Sequence, residues 1–183
     1  MGNKAVAVVG MCGSGKSVLT EMFTDRGWGK VYFGGVTVSQ LKKQGIPVNE
    51  QNERAMREGL RKQYGMGAFA LLLADEIDQL LKKGNVVLDG LYSWSEYTYL
   101  KERYGDDLVI LAVVTNSSVR YSRLAKREIR PLTPEQACGR DFAEIENSEK
   151  GGPIAIADYY IINNGSIEQM SRQFNEFLKW LKL

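Results

Sequence analysis

The fold is decided by residues 4 to 17, Lys4-Ala-Val-Ala-Val-Val-Gly10-Met-Cys-Gly-Ser-Gly15-Lys16-Ser17. An apolar, β-branched run enters a glycine-rich turn, and a helical pattern continues from Ser17 to Asp25. Gly10, four intervening residues and Gly15-Lys16-Ser17 fit the phosphate-loop pattern G-x-x-x-x-G-K-S/T. Glycine at 10, 13 and 15 lets the backbone turn tightly and approach a phosphate chain. The N–H groups of the loop, through Cys12, Gly13 and Ser14, and the helix N-terminus then form a concave anion site. In such a site Lys16 reaches the β- and γ-phosphates and the Ser17 hydroxyl ligates Mg²⁺. An ordinary glycine turn needs neither the strand before it nor the helix after it.

Working outward, a chain of 183 residues suits one α/β domain with a sizeable core. Hydrophobic content is 44% and charged content 25%, the profile of a globular chain. The net charge of only +2 argues against a nucleic-acid partner. Two cysteines, Cys12 and Cys138, offer neither a disulfide framework nor metal-ligand spacing, which points to a reducing cytoplasm. With no histidine, Ser/His/Asp hydrolysis and His-ligated metal sites are excluded. No signal peptide or bilayer-length apolar run is visible.

Beyond the first helix, Val31 to Phe33 reads as a second short strand ended by Gly34-Gly35. A short helix from about Val38 to Lys43 follows. Asn49 to Tyr64 is polar and helical, with Asn49 or Asn52 as cap, and Phe69 to Lys83 has a broad apolar face. Asn85 to Gly90 is a buried strand ending in an acidic residue, Trp94 to Tyr104 a helix, and Leu108 to Thr115 a candidate central strand. Ser117 or Ser118 caps a basic helix to Arg127. Thr133-Pro134-Glu135 opens a helix to about Asn147, and Gly151-Gly152-Pro153 reads as a loop. Tyr159 to Asn163 is the last strand, and Ser166 caps the terminal helix.

Strands alternating with helices predict a three-layer α/β/α P-loop NTPase fold with a five-stranded parallel sheet, one domain over residues 1–183. Ligands bind such sheets at the carboxyl ends of the strands. That edge gathers the phosphate loop, Gly34-Gly35, Asp89-Gly90, Thr115-Asn116 and Asn163-Asn164.

Asp89 ends an apolar strand, where phosphate-loop proteins keep the acidic residue that organises Mg²⁺. A turn-forming Asp before Gly90 is the plainer alternative. Arg120, Arg123, Lys126, Arg127 and Arg130 form a basic cluster, and 120, 123 and 127 share a helical face. Mobile arginines over the phosphates suit phosphoryl transfer, against a solvated face paired with Glu128, Asp141 or Glu144. Arg57 and Arg61, one turn apart, can grip an acceptor phosphate or pair with Glu53 or Glu58. Gly65 can line the acceptor pocket or simply stop the helix. Arg140-Asp141 with Glu144 can close on the lid arginines as an ion-pair clasp, and Asn163-Asn164 lies where a purine would rest.

On these residues the chain resembles the nucleoside-monophosphate-kinase superfamily and, within it, the dephospho-CoA kinases. Gly10 to Ser17, Val86 to Gly90, the Arg120–Arg123–Arg127 segment and Ala157-Asp158-Tyr159-Tyr160-Ile161-Ile162-Asn163-Asn164-Gly165-Ser166 carry the likeness. Leu60-Arg61, Gly65-Met66-Gly67 and Arg140-Asp141-x-x-Glu144 are similar to an archaeal-type branch related to adenylate kinases and dephospho-CoA kinases. The resemblance implies an acceptor-binding insertion over about residues 36–67 and a lid over about 118–140. One departure stands out: the family's Asp after the second strand is replaced by Phe33-Gly34-Gly35-Val36-Thr37. Asp89 is then the carboxylate left to nominate as base.

The expected function is Mg²⁺-dependent transfer of the ATP γ-phosphoryl group to a small nucleotide-like acceptor, dephospho-CoA or a nucleoside monophosphate. Lys16, Asp89, Arg123 and Arg127 are the expected catalytic set, with Ser17 and Asp89 on the metal. The nucleotide falls to Gly10 to Ser17, Arg123, Asn163 and Asn164, and the acceptor to Arg57, Arg61 and Gly65. Two rivals are a nucleotide-dependent switch ATPase with no small acceptor and a kinase or binder of nucleic-acid ends.

Overall fold

The computed structural model describes residues 2–182. Five strands, β1 (Ala5–Val9), β2 (Gly29–Tyr32), β3 (Val86–Asp89), β4 (Leu108–Val114) and β5 (Tyr159–Ile162), form one sheet in the order β2-β3-β1-β4-β5. Every pairing is parallel. The chain is therefore a three-layer α/β/α P-loop NTPase fold. The helices are α1 (Lys16–Thr24), α2 (Gly35–Lys43), α3 (Glu50–Tyr64), α4 (Ala68–Leu81), α5 (Trp94–Tyr104), α6 (Ser117–Ala125), α7 (Pro134–Glu146), α8 (Gly151–Ala155) and α9 (Ile167–Trp180).

The two-residue period of β1 builds both cores. Ala5, Ala7 and Val9 face a layer made with Phe69, Ile77 and Leu100 of α4 and α5, while Val6 and Val8 face Leu19, Phe23, Phe174 and Phe177 of α1 and α9. All five β1 residues are wholly buried, which is why this strand reads as a continuous apolar run. Phe23 and Phe174 meet edge to face at 4.6 Å, the geometry ring quadrupoles favour. At the β5 edge, Gln173 donates to Ile162 O at 2.9 Å and accepts from Ile162 N–H at 2.9 Å. That side chain closes part of an edge that is otherwise open to strand addition.

Helix starts follow side-chain chemistry. Ser93, Thr133 and Ser166 each form a reciprocal capping box with Glu96, Gln136 and Gln169, and Asn49 caps α3 through the Asn52 N–H. Two expectations need correction. Gly151-Gly152-Pro153 is the start of α8, a short helix in which Pro153 sits in the first turn, where no intrahelical N–H is required. α6 has Asn116 before it and no side-chain cap; the Asn116 N–H is taken by Asn164 Oδ1 at 2.8 Å. Among the described residues no helix is long and apolar enough to cross a membrane.

Candidate active site

The phosphate loop joins β1 to α1. Gly10, Gly13 and Gly15 take φ of 149°, 80° and 100°, values that side-chain-bearing residues rarely adopt. Space adds to this: a Cβ on Gly10 would lie 2.5 Å from Val113 O, and one on Gly13 3.1 Å from Arg120 O. A Cβ on Gly15 would collide with the Asn163 amide. Three side chains grip the loop through its carbonyls. Asn163 Nδ2 donates to Ser14 O at 2.8 Å, Thr115 Oγ1 to the same oxygen at 3.0 Å, and Arg120 Nη1 to Cys12 O at 3.1 Å. The Lys16 ammonium folds onto Gly10 O at 2.8 Å and Met11 O at 3.0 Å. Its enclosure, followed by the neighbouring Lys150 charge, lowers its pKa to about 8.

Asp89 ends β3 level with Val8 on one side and Tyr32 on the other, so the sheet register alone brings it beside the loop. Its Oδ2 pairs with Lys30 Nζ at 2.9 Å. Ser17, in the first turn of α1, is exposed. Among the described residues no group of three or more His, Cys, Asp or Glu side chains could hold a metal ion. The oxygen donors Ser17 and Asp89 nonetheless fit Mg²⁺, which takes one or two protein oxygens and fills its shell with water and phosphate.

The basic cluster divides. Arg120 is buried; it holds the Asp141 carboxylate with two bonds of 2.7 and 2.6 Å and donates through Nε to Thr115 O. Tyr121 donates its hydroxyl to the same carboxylate at 2.9 Å. An ion pair thus joins α6 to α7 at Arg120–Asp141. Arg127 lies 4.0 Å from Cys12 Sγ, over the loop, and Arg123 buries an Nη1 that has no hydrogen-bond partner. Arg130 and Arg57 both approach Glu53, at 3.8 and 3.9 Å, so the segment between α6 and α7 meets α3 there. Arg61 lies over the Phe69 ring at 5.7 Å with an unpartnered buried Nε. Gly65 ends α3 with φ 80° in open space. The Asn163 side chain is engaged on the loop and the Asn164 side chain on Asn116.

Glu144, expected in the sequence only as an ion-pair partner of the arginines, stands at the loop itself, and three groups unmarked in the sequence, Lys150, Tyr92 and Glu96, stand with it. Glu144 Oε2 accepts the Cys12 N–H at 3.1 Å and pairs with Lys150 Nζ at 2.8 Å. Burial opposes its charge, but Lys150, Lys16 and Arg140 outweigh that and hold its carboxyl below the ordinary range. Lys150 is buried, its ammonium 5.0 Å over the Tyr92 ring. Burial likewise pushes the Tyr92 hydroxyl up. Glu96 is fully buried; its Oε2 accepts from the Tyr92 and Ser93 N–H groups, and its Oε1 has no partner. Burial raises its pKa to about 7 against those N–H groups and Arg61. The Ser93-x-x-Glu96 spacing was a legible capping-box signal; Lys150 carried none.

The comparisons agree with this geometry. The AAA domain family matches residues 6–150. A UPF0200 protein from Thermococcus onnurineus (strain NA1) is 32% identical over 178 residues, covering 95% of this chain and 96% of the relative. The chain belongs to the AAA domain family and to the UPF0200 proteins. This UPF0200 chain also matches solved structures at low identity. The crystal structure of TT1252 from Thermus thermophilus superposes with a TM-score of 0.69 at 18% identity, over 99% of both chains. A gluconokinase from Sinorhizobium meliloti 1021 gives 0.61 at 16% identity, over 98% of this chain and 93% of the other. These likenesses establish a fold shared with P-loop kinases.

Proposed function

We propose that the protein is a phosphotransferase that moves the γ-phosphoryl group of ATP to a small nucleotide-like acceptor, dephospho-CoA or a nucleoside monophosphate. The observation that carries this reading is Lys16 inside a three-glycine loop with Asp89 beside it at the carboxyl edge of the sheet. The loop amides and Lys16 take the phosphates, as a fixed set of donors aimed at charge that grows during transfer. Arg123 and Arg127 neutralise that charge from the lid. Arg57 and Arg61 bind the acceptor from α3, with Gly65 at the pocket's end, and Asn163 and Asn164 border the nucleotide. Ser17 and Asp89 would hold Mg²⁺, which would supply positive charge to offset that of the phosphates. Where the acceptor attacks through a hydroxyl, as dephospho-CoA does, Asp89 takes that proton as the new oxygen–phosphorus bond forms and the bond from the γ-phosphorus to the leaving ADP breaks; a nucleoside monophosphate attacks through an ionised phosphate oxygen and needs no base.

The test is transfer of radiolabelled γ-phosphate from ATP to dephospho-CoA and to the nucleoside monophosphates, beside a tube with no acceptor. Label on one acceptor supports the reading and names the substrate. Inorganic phosphate alone, at one slow rate in every tube, favours a switch ATPase. That second reading rests on Phe33, Gly34 and Gly35 after β2, which carry no carboxylate to activate an acceptor.

A further inference from the structure

We propose that Lys150 is a second cation for the terminal phosphate of the bound nucleoside triphosphate, and that Glu144 occupies that phosphate's place until the nucleotide arrives. The proposal rests on the phosphotransferase reading above and extends it to a residue outside the phosphate loop.

The Glu144 carboxylate sits where an anion is expected. Its Oε2 accepts a phosphate-loop amide, Cys12 N–H, and pairs at the same oxygen with Lys150. A loop N–H is a phosphate donor in this architecture, so a carboxylate on it stands in for a phosphate oxygen. The charges do not balance around it. Lys150 lowers the pKa of Lys16, so the two ammonium groups repel each other across the site. One carboxylate serves both, and Asp89, the other nearby acid, is already paired with Lys30. A terminal phosphate carries more negative charge and three free oxygens, and satisfies both lysines and the loop amide at once.

The position of Lys150 also fits a ligand role. It is 3% exposed, and among the described residues Glu144 is its only ion-pair partner. A buried pair of this kind gives little stability over an apolar pair of the same volume. Glu144 has somewhere to go: its other oxygen, Oε1, already lies 3.3 Å from Arg140 Nε, one turn back on the exposed side of α7. Nucleotide arrival therefore exchanges one anion for another, leaving Glu144 on Arg140 and Lys150 on phosphate.

Calorimetric titration with the β,γ-imido analogue of ATP and with ADP tests this without turnover. The set is wild type, Lys16→Ala, Glu144→Gln, Lys150→Met, Lys150→Arg and the double variant Glu144→Gln/Lys150→Met. Losing a charged hydrogen bond predicts that Lys150→Met weakens the triphosphate analogue about tenfold or more and ADP by less than about threefold. Lys150→Arg retains most of the triphosphate affinity. Removing the competing charge in Glu144→Gln tightens the triphosphate by about tenfold. The double variant leaves no unpaired buried charge, so it stays folded, and it binds the triphosphate more weakly than Glu144→Gln alone. Equal triphosphate affinity in the double variant and Glu144→Gln, or equal losses of ADP and triphosphate in Lys150→Met, overturns the role of Lys150. Wild type that binds neither nucleotide, or Lys16→Ala that binds as well as wild type, overturns the phosphotransferase reading instead.

Discussion

Arg120 and Asp141 face each other in a two-bond ion pair that locks α6 to α7, while the same guanidinium holds the Cys12 carbonyl of the phosphate loop. The side chains are 7% and 13% exposed, so little solvent screens them. One residue thereby sets the docking of α6 on α7 and the loop's shape together. Asp141→Asn removes one charge and strands the other, at a cost of about 3 kcal/mol. Chemical denaturation reads that loss. Nucleotide affinity falls alongside it, because Arg120 no longer orients Cys12 O. Affinity unchanged at reduced stability would separate the two roles and contradict the coupling.

Gly15→Ala places a Cβ against the Asn163 amide at φ 100°. Asn163 must then release Ser14 O, and the loop opens. We expect nucleotide binding to drop at least about a hundredfold with thermal stability reduced by only about 1–3 kcal/mol, the scale of one strained residue. Gly27→Ala, also at positive φ but with open space around it, provides the control: it strains the backbone without touching the loop.

Glu96 predicts a pH dependence of stability. The folded protein keeps its proton to about pH 7, whereas the unfolded chain releases it near 4.5. Its contribution is complete below 4.5 and is lost as the pH rises to about 7. Glu96→Gln lacks that loss. The variant therefore gains on wild type between pH 5 and pH 8, by up to about 3 kcal/mol. Parallel urea melts at the two pH values measure it; a constant difference between the proteins would refute it.

Lys16 predicts a proton linked to binding. With its pKa lowered to about 8 by burial and by Lys150, part of the population is neutral at that pH. Phosphate draws the charged form, so nucleotide binding above about pH 8 takes up protons and weakens as the pH rises. Titration calorimetry in two buffers of different ionisation enthalpy counts the protons. No uptake at pH 8.5 would contradict the Lys16–phosphate contact.

The legible part of the site is the part written in consecutive residues. The phosphate loop needs only its own glycines and the strand and helix beside it, so Gly10 to Ser17 could be read directly. Asp89 was legible because a strand end fixes its place once the sheet is parallel. Glu144 and Cys12 are 132 residues apart, and their contact depends on how α7 docks, which no local pattern encodes. Lys150 hides for a similar reason: a lysine before two glycines reads as a solvated loop, and only the short helix α8 packed beside α5 buries it. Gly151-Gly152-Pro153 misled because glycine and proline usually break helices. Here Gly152 is needed for space instead, since a Cβ would lie 2.6 Å from the Trp94 ring.

The most direct measurement compares wild type and Lys16→Ala for ATP affinity and for γ-phosphate turnover in the presence of acceptor. The account predicts that the variant loses about 2–4 kcal/mol of binding or transition-state stabilisation, seen as at least a thirtyfold fall in one quantity or both. A Lys16→Ala protein that binds ATP and turns it over as wild type does would show that the phosphate loop is not the working site.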